Sequence, residues 1–217
     1  MEDIPKLCTA FAEWMSCMVI ILIYKESILR EKWKKFVLLS VVSAMGLAVI
    51  QIMCGRVSGI LWLFGMGCAV LLMVIVICLG LEINWKTGGY LCARSFLLAE
   101  FLAALEWQVY SFYFGSNRRN QMLEILICIL FFAVGYGFFY YIEYKTRKKR
   151  NDLYIPEVES RQLILVWMLT FFVFGFSNLS YVKISSPFSG IDASGIFNAR
   201  TLIDLAGIFL LELFYTQ

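Results

Sequence analysis

The chain has 217 residues, of which 61% are hydrophobic, 17% aromatic and 16% charged, with three prolines and a formal net charge of +3. Soluble domains carry roughly 25% charged residues, so the composition points away from a water-soluble globular fold. The absence of histidine excludes Ser-His and Cys-His dyads, histidine metal sites and a phospho-accepting histidine within these residues.

Several apolar runs approach or exceed the roughly 20 residues that cross a hydrocarbon core about 30 Å thick. They do not alternate like the ten-residue strands of a barrel, and lipid admits only helices or closed barrels. The fold class is therefore an all-α polytopic membrane protein, a bundle of about seven transmembrane helices forming one domain over residues 1–217. In chain order the spans fall near 7–24, 36–53, 58–81, 90–112, 122–143, 162–180 and 199–216. The opening "MEDIPKLCTAF" is acidic and lacks a small-residue cleavage pattern, so it reads as the first span and not as a removable signal peptide. The third, within "SGILWLFGMGCAVLLMVIVICLGLEI", is the most continuous. The fourth, within "CARSFLLAEFLAALEW", carries Arg94, Glu100 and Glu106. The seventh, "ARTLIDLAGIFLLELFYTQ", carries Arg200, Asp204 and Glu212.

Basic residues set the orientation. The segments after spans one, three and five hold twelve Lys and Arg, among them the clusters "KESILREKWKK" and "YKTRKKR", against six on the other side. This places the N-terminus outside, the C-terminus in the cytoplasm and the chain in the cell membrane as a multi-pass protein. The "TRKKR" run reads as an orientation signal with anionic-lipid contact, not as a nucleic-acid site. The seven cysteines form no CxxC or CxxxC pair and read as small buried hydrophobes. The sequence points to no metal and no cofactor, and there is no GxxxxGK[ST] phosphate loop. With no catalytic constellation, an enzyme is not expected.

The embedded charges carry the functional argument. At 1.5 Å per residue, Arg94 lies about 8 Å from the inner end of span four, Glu100 about 17 Å and Glu106 about 26 Å. Span seven runs the other way, which puts Arg200 about 26 Å, Asp204 about 20 Å and Glu212 about 8 Å from the inner face. Level matching predicts that spans four and seven are neighbours, with Arg94–Glu212 as a structural ion pair, Glu106 opposite Arg200, and Glu100 beside Asp204 at mid-depth. Two carboxylates at one depth repel, unless a proton or Arg200 intervenes, which suits a switch or a point that binds a cationic ligand; the structural alternative is that Glu100 is a protonated acid hydrogen-bonded to a neighbouring helix. At 100° per residue Arg94, Glu100 and Glu106 point in three directions about 120° apart, so either span four is central or the outer two charges snorkel to the headgroups. Trp107, beside Glu106, begins an aromatic run that reads as an interfacial belt or as part of an external ligand surface.

The stretches "CARSFLLAEFLAALEWQ" and "FNARTLIDLAGIFLLEL" resemble segments in the N-terminal membrane region of GHKL-type sensor histidine kinases of Gram-positive bacteria, a group that includes the Agr-type peptide-pheromone receptors. The matching residues are Arg94, Ala99, Glu100, Glu106 and Trp107, then Arg200, Thr201, Asp204 and Gly207. The resemblance implies a membrane sensor of a two-component system, of the kind used in quorum sensing. Its signalling helix and kinase domain would follow Gln217, so no kinase activity is expected from these residues. It implies a peptide or small-molecule ligand, membrane lipids as surroundings and a homodimer, with no nucleic acid. The candidate ligand or switch residues are Glu100, Asp204, Arg200, Glu106 and Trp107. The alternative is a small membrane transporter, or a substrate-binding membrane subunit, with a midplane carboxylate site.

Overall fold

The computed structural model describes residues 5–24, 29–57, 60–114, 121–150, 158–177 and 201–211. They form seven helices and, among the described residues, no strand: α1 (Lys6–Tyr24), α2 (Leu29–Cys54), α3 (Ile60–Leu81), α4 (Trp85–Phe114), α5 (Gln121–Arg150), α6 (Ser160–Ser177) and α7 (Thr201–Leu211). The first six are long and apolar enough to cross a membrane, which marks a membrane protein. α7 is apolar but shorter than a span; the remainder of the expected seventh span lies outside the described residues.

Local chemistry sets the helix ends. The Pro5 carbonyl accepts the first bonds of α1, from the Cys8 and Thr9 amides at 2.9 and 3.2 Å. α3 closes on a Schellman motif: the Ile83 amide donates to the Cys78 carbonyl at 3.2 Å. Glu82 supplies its left-handed residue at φ 58°. Two residues later the Asn84 side chain accepts from the Thr87 amide at 2.9 Å and caps α4. The α3–α4 connection is therefore a tight, capped hairpin. At the start of α6, Gln162 reaches back to accept from the Glu159 amide at 3.1 Å, half of a capping box.

Helices run past the apolar spans where polar sequence still favours helix. α2 begins at Leu29, ahead of the expected 36, and α5 continues to Arg150, beyond the expected 143. Lys and Arg are good helix formers and are well suited to the headgroup layer.

Burial ranks the helices clearly. In its most apolar stretch α4 is 89% buried and α1 is 61% buried, against 17% for α2 and α5. α4 packs on α1, α3, α5 and α6, and α1 packs on α2, α3, α4 and α5. The α1–α4 pair is thus the axis, and the alternative that span four lies at the edge and snorkels its charges does not apply. One core cluster joins Ile20, Ile21, Met73, Ile77, Leu97 and Phe174. A second joins α1, α4 and α5 through Ala12, Leu102, Ala103, Phe132 and Tyr136. The outer faces carry Val41, Met45 and Val49 on α2, Leu126, Leu130 and Val134 on α5, and Phe171 and Phe172 on α6, all exposed. Side chains of this kind face lipid at no cost, whereas in water so large a patch would drive association.

α7 docks against α6 at its glycine. A Cβ on Gly207 would stand 2.7 and 2.8 Å from the two methyls of Val173, so only glycine lets the two backbones come this close. Ile208 then packs against the α1/α4/α5 cluster.

Candidate functional site

The interior charges of α4 fall in three layers, and each layer meets a different set of partners. In the first, Arg94 donates from Nη1 and Nη2 to the two carboxylate oxygens of Glu143 on α5, at 3.1 and 2.8 Å. Both side chains are below a tenth exposed. The guanidinium also lies over the Phe139 ring, 5.3 Å from its centroid. A bidentate Arg–carboxylate fork with an aromatic face beside it is the strongest arrangement these groups adopt.

The second layer holds Glu100 of α4 and Glu13 of α1. Both are buried, and Glu100 is close enough to act electrostatically on Glu13. The Gln51 side-chain amide on α2 donates to Glu13 Oε1 at 2.6 Å and also contacts Met66 Sδ of α3 at 3.6 Å. The second oxygen of Glu13 has no hydrogen-bond partner among the described residues. Ser16 Oγ turns back to the Glu13 carbonyl at 2.8 Å. Nearby the Tyr136 hydroxyl donates to the Ala12 carbonyl at 2.6 Å, tying α5 to α1. Side chains from α1, α2, α4 and α5 therefore meet at or beside this layer.

In the third layer Glu106 meets two cysteines. Cys8 on α1 and Cys128 on α5 have their sulfurs 3.3 Å apart. One Glu106 oxygen and the two sulfurs all lie within 4.8 Å of one another, and all three residues are buried. Trp107 follows, buried and stacked on Tyr110 at 5.6 Å between ring centroids.

The layers add partners that depth alone does not supply. Arg94 takes Glu143 as an ion-pair partner, a residue that level matching with span seven overlooks. Arg200 and Glu212 lie outside the described residues. Asp204 is buried on α7. Three functional candidates escape the sequence reading: Glu13, Glu143 and the Cys8–Cys128 pair. An acid inside the first apolar run is the available signal for Glu13. For Glu143 it is an acid at the far end of span five, near the level of Arg94. Nothing in the sequence pairs two cysteines so far apart along the chain.

A surface groove of about 650 Å³ lies on the outside of the bundle between Trp85 and the α6 residues Leu163, Trp167 and Phe171. Its lining is almost wholly apolar, and it contains none of these charges.

No protein-family model, no curated protein and no solved structure matches the chain. The class defined by the fold is that of a polytopic helical membrane protein with a polar axis inside its bundle.

Proposed function

We propose that the chain is a membrane-embedded sensor module of a two-component-type signalling protein. It would take up an external or membrane-borne ligand, a peptide by preference, and pass a change in its last helix to the cytoplasm. In this reading α7 completes a seventh span, the N-terminus lies outside, the C-terminus is cytoplasmic, and the chain itself catalyses nothing. The observation that carries the proposal is the Glu13–Gln51–Glu100 layer. Two carboxylates in one low-dielectric layer repel when both ionise, so a ligand that brings positive charge there would stabilise the ionised pair. A ligand that supplies such a charge would bias the packing of α1, α2 and α4 around the layer, the two-state element that coupling requires. The resemblance of the α4 and α7 stretches to GHKL-type sensor regions supports the same reading, with Glu100, Glu106 and Trp107 on the ligand side and Arg200 and Asp204 on the last helix.

The test uses the full chain in lipid nanodiscs. Peptide fractions of spent culture medium should change the tryptophan fluorescence of the wild type, and Glu100→Gln should abolish the response. Reading the gene beyond codon 217 should reveal a helix bearing a histidine. A frame that stops, together with no fluorescence response, overturns the proposal.

The same pair of acids favours a second reading, a small transporter with a midplane cation site. Cation-dependent uptake into proteoliposomes that is lost in Glu100→Gln would establish it in place of sensing.

A further inference from the structure

We propose that Cys8, Cys128 and Glu106 form a zinc site that fastens α1, α4 and α5 together at the end of the bundle where α1 begins. The proposal goes beyond the sensing reading and assigns Glu106 to the metal instead of to the ligand side; the Glu13–Gln51–Glu100 layer that carries the sensing reading takes no part in it.

The donor set comes from three helices and converges at one point. Cys8 and Cys128 bring sulfurs 3.3 Å apart, and a Glu106 oxygen lies within 4.8 Å of both. Around a zinc ion with bonds of about 2.3 Å to sulfur, two thiolates at the tetrahedral angle stand about 3.8 Å apart. Opening the pair by about half an ångström therefore admits the ion, whereas a disulfide would require the sulfurs to close by about 1.2 Å, to about 2.05 Å. Two soft thiolates with one hard carboxylate suit zinc better than copper(I), which favours sulfur alone, or calcium and magnesium, which favour oxygen alone. Three protein ligands, one from each helix, tie the helices through the ion and leave its fourth position to water, so the ion can exchange.

Binding is coupled to proton release and leaves the site with one net negative charge. Binding converts two thiols to thiolates and releases two protons per ion, and together with the carboxylate the ligands carry three negative charges against the two positive charges of zinc. The site lies near the start of α1: Cys8 is two residues after Lys6, where α1 begins, about 3 Å along the axis. An ion arriving at that end of the bundle has only a short way to travel. Burial of all three side chains removes competing water, which strengthens the ion's interaction with its ligands.

The experiment titrates the reduced full chain in nanodiscs with cobalt(II) chloride, as a spectroscopic stand-in for zinc, and then displaces the cobalt with zinc chloride. Thiolate-to-cobalt charge-transfer bands should saturate at one equivalent and vanish as zinc is added. The isosteric variants Cys8→Ser and Cys128→Ser should each weaken binding by about 100-fold or more, and Glu106→Gln by about 10-fold. Cys17→Ser and Cys92→Ser, buried elsewhere on α1 and α4, should leave the bands unchanged. A measurement on the wild type alone guards against misfolded variants: zinc should slow maleimide alkylation of Cys8 and Cys128, and leave the rate at Cys78, partly exposed near the end of α3, unchanged. The proposal is overturned if the bands are absent, if they persist in the Cys8→Ser/Cys128→Ser double variant, or if zinc fails to slow alkylation of the two thiols. It is equally overturned if the isolated chain holds a Cys8–Cys128 disulfide and binds no zinc after reduction.

Discussion

Replacing Arg94 by methionine leaves Glu143 inside the bundle without its fork. The size of the effect follows from the geometry. Two charge-assisted hydrogen bonds, 3.1 and 2.8 Å long, contribute about 1.5–3 kcal/mol each. Removing one member of a buried pair typically costs about 3–5 kcal/mol, because the other charge remains desolvated. Arg94→Met and Glu143→Met should therefore each lower stability by about 3–5 kcal/mol, roughly two to three and a half powers of ten in the folded-to-unfolded ratio. The double variant Arg94→Met/Glu143→Met removes both charges and keeps the volume, so it should lie within about 1–2 kcal/mol of the wild type. Reversible unfolding of the full chain by SDS in mixed micelles, followed by far-UV circular dichroism, gives all four corners of the cycle. Single variants that each cost less than about 1 kcal/mol, or a double variant equal to the sum of the two, would refute the idea that this pair is energetically coupled.

In the same assay Gln51→Leu should cost about 1–3 kcal/mol, since it withdraws the 2.6 Å bond from a buried carboxylate; Glu13→Leu/Gln51→Leu should recover most of that loss. Gly207→Ala places a methyl against both branches of Val173, which its stiff χ1 cannot move aside. It should destabilise the chain by about 1–3 kcal/mol and speed proteolysis beyond α6. Glu82→Gly relieves the left-handed strain at φ 58° and should raise stability by about 0.5–1 kcal/mol, read as a higher melting temperature; a lower one would show that the Glu82 side chain matters more than its backbone.

How much of this is legible in the sequence depends on the range of the interaction. Apolar length marks the spans because the bilayer is a fixed ruler, and the first six helices fall where the runs predict. Their ends shift where Lys- and Arg-rich sequence carries the helix past the apolar boundary, as at Arg150. Arg94, Glu100 and Glu106 stand out because a charge inside an apolar run is conspicuous, and all three are buried. Their partners are not legible, because depth fixes only one coordinate of three. Glu143 and Glu212 both lie near the level of Arg94 by count, and the sequence does not reveal which helix abuts Arg94. Glu13 escapes notice for a different reason: a single acid early in a span looks like an end residue until α2 brings Gln51 against it.

The polar axis also dictates the order in which the bundle can be assembled. α4 has a mean hydropathy of 1.3 in its best window, against 2.7 for α3. Its three charges oppose insertion by several kcal/mol on translocon scales, more than the apolar residues of one helix comfortably outweigh. The capped Glu82–Asn84 corner hands α4 into the bilayer directly behind its most greasy neighbour, while α1 already waits there with Glu13. The guanidinium of Arg94 nevertheless lacks Glu143 until α5 has been synthesised. α4 is thus a late resident in an early position: the ribosome makes it fourth, but its guanidinium is matched only by the fifth helix and its burial is completed only by the sixth.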